Sequence, residues 1–139
     1  MSALHLTYQV NGDDFTRAGE ASSAVKKRLR SLGVAPEAIR KVAIALYEGE
    51  INMVIHANGG VIDIDVDTDR IAMTLKDTGK GIADIDKAMQ EGYSTAPDEV
   101  RNLGFGAGMG LPNMKKYSDV MTIESTVNVG TTVYMEVRL

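Results

Sequence analysis

Asp77-Thr78-Gly79-Lys80-Gly81-Ile82 follows directly on the apolar run Ile71 to Leu75, so it reads as a loop at the end of a strand. A carboxylate there can accept hydrogen bonds from an amino group on a bound base, and the two glycines let backbone approach the ring closely. Further on, Gly104-Phe105-Gly106-Ala107-Gly108-Met109-Gly110-Leu111-Pro112 places glycine at every second position. It runs into a helix whose unpaired first N–H groups suit phosphate. Upstream, Glu48, Asn52 and His56 are spaced four apart and line one stripe of a helix, with Glu50 pointing almost oppositely to Asn52. Gly130-Thr131-Thr132 opens a final strand, where the threonines are most simply β-formers. Taken singly, the first three segments have plainer readings as well: a strand-ending turn, a flexible linker, a solvated helix face.

The commoner nucleotide motifs do not fit. No frame of the glycine-rich segment satisfies G-x-G-x-x-G and no parallel βαβ unit precedes it, so a dinucleotide-binding loop is excluded. A Walker A loop is excluded too, because the only Gly-Lys is Gly79-Lys80 and position 74 is Thr where that motif requires Gly.

The elements that must position these residues can be read from periodicity. His5 to Val10 forms a short strand, and Asn11-Gly12-Asp13-Asp14 supplies turn and cap chemistry for a first helix with Phe15, Ala18, Val25, Leu29 and Leu32 at helical spacing, stopped at Gly33. A second and longest helix opens at Pro36 and buries Ile39, Val42, Ala43, Leu46 and Val54 until Gly59-Gly60 ends it. The period then becomes two. Ile62, Ile64 and Val66 alternate with Asp63, Asp65 and Asp67, and after Thr68-Asp69 so do Ile71, Met73 and Leu75, which makes an antiparallel hairpin with one buried face. Asp84 to Glu91 reads as a short helix, Gly92 to Gly110 as a mobile lid, and Leu111 to Tyr117 as a helix. Val120 to Ser125 and Thr131 to Leu139 are strands joined through Asn128-Val129-Gly130. This order predicts an α+β, two-layer sandwich with helices on one face of a mixed or antiparallel sheet.

Composition bounds the rest. With 139 residues, 44% of them hydrophobic, the chain can bury one core, and a single domain over residues 1–139 is expected. Trp is absent and aromatics are only 5%, so the interior must rest on aliphatic residues and methionine. A net charge of −4 gives no basic footprint and argues against nucleic acid or an anionic membrane as the main partner. Without cysteine there is no disulfide, thiol nucleophile or Cys-ligated zinc. Neither a leader pattern nor an apolar run of about 18 residues is found, and a soluble cytoplasmic protein is expected.

In this order and spacing, the Glu48/Asn52/His56 stripe resembles the N box, Asp77 to Gly81 the G1 box, and Gly106 to Gly110 the G2 box of the histidine-kinase/gyrase/Hsp90-like ATPase superfamily. Within it, Gly108-Met109-Gly110-Leu111 and Ile123-Glu124-Ser125 through Gly130-Thr131-Thr132-Val133-Tyr134 resemble the anti-sigma-factor serine kinases and their stress-switch relatives. The resemblance implies a histidine-kinase-like ATP-binding fold that takes ATP and Mg²⁺. Asn52 would coordinate the metal, Glu48 would be the general base, and His56 matches a common family position. Asp77 would bind the adenine amino group, directly or with a water near Thr131. Gly79, Gly81 and a lid comprising Gly104, Gly106, Gly108, Met109, Gly110 and Leu111 would approach the nucleotide. Two departures stand out. Gly106-Ala107 precede Gly108-Met109-Gly110 where sporulation-type members carry an arginine, and Gly49 stands mid-helix where Ala is common, at a cost of about 1 kcal/mol of helix propensity.

The function so implied is an ATP-dependent serine/threonine protein kinase acting as an anti-sigma or stress-switch regulator. Its partner would be a regulatory protein, a sigma factor or a STAS-type antagonist, and it would form a homodimer. The alternative is an ATP-responsive module that sequesters its partner without phosphotransfer. A detached histidine-kinase catalytic domain is disfavoured, since His5 lies on a strand and His56 in the N box, leaving no acceptor-histidine hairpin. ATP is expected over GTP. Glu50→Gln, on the helix side opposite Asn52, is expected to have little effect on ATP binding or on phosphotransfer.

Overall fold

A computed structural model describes residues 4–12, 17–57, 59–79, 81, 82, 85, 89 and 110–139, with His56 described by its backbone only. The alternation of Ile62, Ile64 and Val66 with aspartates is realised as strand β2 (Gly59–Val66), whose apolar side chains are buried. Around it stand β1 (Leu4–Asn11), β3 (Arg70–Lys76), β4 (Val120–Thr126) and β5 (Gly130–Arg138). They form one five-stranded sheet in the order β1-β2-β3-β5-β4, every neighbouring pair antiparallel. The helices α1 (Glu20–Ser31), α2 (Pro36–His56) and α3 (Gly110–Lys116) contribute to the same core as the sheet's apolar face. Val25, Leu29, Val42, Leu46, Val54 and Met114 meet Ile62, Ile64, Ile71, Met73, Met135 and Val137 there.

The opposite face of the sheet is polar. Arg70 Nη1 donates to Glu136 Oε1 at 2.6 Å and the Tyr134 hydroxyl donates to the same oxygen at 2.8 Å, while His5 lies between Asp63 and Asp65. One covered and one polar face is the two-layer α+β sandwich that the sequence pattern predicts.

The first helix begins later than local capping signals imply. Asp13 and Asp14, together with Phe15, lie outside the described residues, and α1 starts at Glu20 behind Gly19, which has φ 96° and offers no side-chain cap. The cap comes instead from Glu50 of α2. Its Oε2 accepts from the N–H groups of Gly19 and Ala21 at 3.0 and 3.1 Å, and its Oε1 from Ser22 at 3.0 Å.

The helix ends as predicted at Gly33, in a Schellman arrangement. Val34 N–H reaches the Leu29 carbonyl, Gly33 N–H reaches that of Arg30, and Gly33 takes φ 77°. That turn folds Val34 onto the core and leaves Leu32 48% exposed, so Leu32 is not the core residue its spacing suggests. Pro36 opens α2 as expected. The predicted helix Asp84 to Glu91, apart from Ile85 and Met89, and the lid Gly92 to Gly110, apart from Gly110, lie outside the described residues.

Candidate functional site

The C-terminal half of α2 carries Glu48 and Asn52, both half-buried. Between them Gly49 is buried because the helix comes down closely on its neighbours. A Cβ at this position would run into Leu75 Cδ2 of β3 and stand 3.2 Å from Met114 Cε of α3. The close packing explains a glycine in mid-helix, where propensity alone favours alanine.

The α3 helix begins beside Asn52. A Cβ on Gly110 would lie 3.1 Å from both the carboxamide oxygen and nitrogen, so any larger residue at the start of α3 would crowd the Asn52 side chain. The Asn52 Nδ2 faces Met114 Sδ at 3.8 Å, and its oxygen has no partner among the described residues. Leu111 packs against the core cluster.

Asp77 follows the last residue of β3 and is tied to β5. Its N–H donates to the Thr131 carbonyl at 3.0 Å. Its Oδ1 accepts from Gly79 N–H at 2.9 Å and from Thr131 N–H at 3.2 Å. The second carboxylate oxygen has no partner among the described residues. Gly79 lies against Ala57, just past the end of α2, and Gly81 against the Thr126 carbonyl at the β4–β5 turn.

A residue without an assigned role in the sequence pattern completes this loop. Ser125 Oγ accepts from Ile82 N–H at 2.7 Å and shares a hydrogen bond with Thr131 Oγ1 at 2.7 Å. It ties the D-x-G-x-G loop to β4 and to the threonine of β5. The signal that would have found it is register: Ser125 and Thr131 are direct cross-strand partners.

Glu48, Asn52, Asp77, Gly79, Gly81, Gly110 and Thr131 are thus placed by elements that touch one another, at the end of the sheet where α2 finishes. Gly104, Gly106, Gly108 and Met109 and the side chain of His56 lie outside the described residues. Chemically, the arrangement offers a hydrogen-bond acceptor at the Asp77 loop. It also offers a stripe of carboxylate and carboxamide oxygens beside a helix start, which suits a ligand with an amino-bearing ring at one end and anionic groups at the other. Among the described residues no cluster of three or more His, Cys, Asp or Glu could hold a metal by itself. One or two protein oxygens fit a cation such as Mg²⁺ that completes its shell with water and phosphate oxygens.

Glu50 occupies the far side of α2 from the stripe but is only 3% exposed and holds three backbone N–H groups. Its replacement is therefore expected to disturb the start of α1, because α2 is packed on that side by α1 as well. A groove of about 680 Å³ lined by Leu4, Leu32, Val34, Lys41, Val66 and Leu139, among others, lies at the other end of the sheet and contains none of the motif residues. No helix among the described residues is long and apolar enough to cross a membrane.

The sequence profile of the histidine kinase-like ATPase domain matches residues 13–137. The anti-sigma F factor of Geobacillus thermodenitrificans is 34% identical over 104 residues, covering 70% of this chain and 68% of that protein. The anti-sigma F factor of Thermoanaerobacter sp. strain X514 is 32% identical over 140 positions, covering 97% and 91%. Among solved structures, the mycobacterial sensor histidine kinase MprB superposes with a TM-score of 0.54 at 14% identity over 97% of each chain. A chain of the SiaB-SiaC complex from Pseudomonas aeruginosa superposes with a TM-score of 0.61 at 11% identity, covering 95% of this chain and 88% of that one. These two likenesses concern the fold.

Proposed function

We propose, since the chain belongs to the histidine kinase-like ATPase domain family and stands among its anti-sigma F factors, that it is an ATP-dependent serine/threonine protein kinase acting as an anti-sigma or stress-switch regulator. The observation that carries this reading is the meeting of Asn52 on α2 with Gly110 at the start of α3, next to the half-buried Glu48 on the same stripe. The nucleotide lies with its adenine amino group on the second carboxylate oxygen of Asp77 and its phosphates toward Asn52 and the first N–H groups of α3. Asn52 would hold Mg²⁺ through its side-chain oxygen, and the ion when bound would offset the charge of the phosphates. Glu48 takes the proton of a serine or threonine hydroxyl of the partner as its oxygen bonds to the γ-phosphorus. The bond from that phosphorus to the β–γ bridging oxygen breaks, and ADP leaves. The partner is a regulatory protein, a sigma factor or a STAS-type antagonist, and the kinase acts as a homodimer in the cytoplasm.

Transfer of label from γ-labelled ATP to a verified partner tests this. Asn52→Ala is expected to lose Mg-dependent nucleotide affinity. Glu48→Gln is expected to bind ATP and lose about 10²- to 10⁴-fold in transfer. A wild-type chain that binds Mg-ATP and the partner but transfers nothing favours the second reading, a sequestering module. The Gly106-Ala107 pair in place of the arginine of sporulation-type members favours that reading.

A further inference from the structure

The carboxylate of Glu50 is buried, accepts three backbone N–H groups at 3.0 to 3.1 Å, and takes no part in the chemistry above. It reaches across from α2 to the first turn of α1, which has no side-chain cap of its own. A carboxylate there satisfies orphan donors and sits at the favourable end of the helix dipole. Glu50 stands two residues after Glu48 and two before Asn52. On another side of the same turn, Gly49 is seated against Leu75 and Met114, both buried. The turn that presents the Glu48–Asn52 stripe is therefore held from two directions. Rotating α2 enough to re-aim Asn52 would pull Glu50 off α1 or drive the helix backbone into Leu75.

We propose that Glu50 is a positioning residue for the nucleotide site. It sets the rotation of α2 through α1, so that occupancy of the stripe and order in the first turn of α1 are thermodynamically linked. The inference rests on the nucleotide reading above. By reciprocity of linkage, a ligand that needs the stripe in its held orientation also tightens the amides that hold it.

The test uses the whole chain, calorimetry with Mg-ATP, and hydrogen exchange at Gly19, Ala21 and Ser22. Glu50→Gln keeps the side-chain volume but sets an amide donor against at least one N–H. It is expected to lower Mg-ATP affinity about tenfold at temperatures where circular dichroism shows it folded. Leu29→Ala is the control for mere destabilisation, since it loosens the other end of α1, and is expected to leave affinity within about twofold of wild type. If Glu50→Gln does not fold, Glu50→Asp, too short to reach all three amides, is measured in its place with the same expectation. In wild type, saturation with Mg-ATP slows exchange at Ala21 and Ser22, and the Glu50 variant loses that slowing. Equal loss of affinity in the Glu50 and Leu29 variants overturns the positioning role. So does exchange at Gly19 to Ser22 that is indifferent to nucleotide in a wild-type chain shown to bind it. A wild-type chain that binds no Mg-ATP overturns the nucleotide reading itself, and the inference with it.

Discussion

Replacing Asp77 by asparagine is expected to invert the base preference of the site. Two backbone donors, Gly79 N–H at 2.9 Å and Thr131 N–H at 3.2 Å, converge on Oδ1. In the variant the carboxamide oxygen must stay with them, because the NH₂ group in that place would face two donors. The NH₂ group is thereby forced into the position of the second carboxylate oxygen, where the proposed reading puts the adenine amino group. ATP then loses a charge-assisted hydrogen bond of about 1.5–3 kcal/mol, which is about 10- to 150-fold in affinity. A base with an acceptor at that ring position gains a neutral bond of about 0.5–1.5 kcal/mol. The fold is expected to survive, since both backbone donors keep an acceptor and Asp77 is only half-buried. Calorimetry with ATP, GTP and ITP on wild type and Asp77→Asn measures the ratio, with ITP separating the ring oxygen from the 2-amino group of guanine. A folded variant with an unchanged ATP-to-GTP ratio would refute the placement of the base on Asp77.

Three further outcomes follow from the packing and the hydrogen bonds. Gly49→Ala gains about 1 kcal/mol of helix propensity but presses a methyl into Leu75 and Met114. Overpacking of about 1–3 kcal/mol decides the sign, so a lower melting temperature is expected and a higher one would show that Leu75 yields freely. Ser125→Ala removes the acceptor for Ile82 N–H and the bond to Thr131 Oγ1. It is expected to cost about 1–2 kcal/mol in urea unfolding and to weaken ATP binding, and unchanged binding would show that the G1 loop holds without β4. The hydrogen bond to Asp65, with the nearby charge of Asp63, raises the pKa of His5 above its ordinary value of 6.5. The stability this contributes is therefore complete below the unfolded value and lost as pH rises through the folded one. The stability difference between wild type and His5→Ala should shrink as pH rises from below 6.5 through the raised folded-state value, and a difference constant with pH would show that the ion pair is inert.

Most of the fold could be read locally because the sheet advertises itself. Ile62, Ile64 and Val66 and then Ile71, Met73 and Leu75 recur at every second position, and Gly33 and Pro36 punctuate the helices where backbone geometry demands them. The start of α1 was not legible, because its cap lies some thirty residues downstream in sequence, on Glu50. Local rules look for a cap within a turn of the helix they cap. For the same reason the role of Glu50 was not legible: helical spacing places it opposite Asn52, but only tertiary packing says that the opposite side is also covered. Among site residues, Asp77 and Gly110 announced themselves by the motifs around them. Ser125 did not, since a serine in an alternating strand is unremarkable until register sets it across from Thr131.

The position of β5 has a consequence for how the molecule acquires its site. In sequence β5 follows every other element described, yet in the sheet it stands between β3 and β4. Until it is inserted, β4 has no strand to pair with and β3 has an open edge, and the contacts it closes with β3 join residues 70–76 to residues 132–138. Closure over so long a span is slow and entropically expensive. Asp77 receives Thr131 N–H only after that closure, so a nascent or partly unfolded chain has the acidic loop without the strand that orients it. Competence for nucleotide would accordingly be acquired late and lost early. A bound nucleotide would also act as a clasp on the strand whose departure unzips two ladders at once.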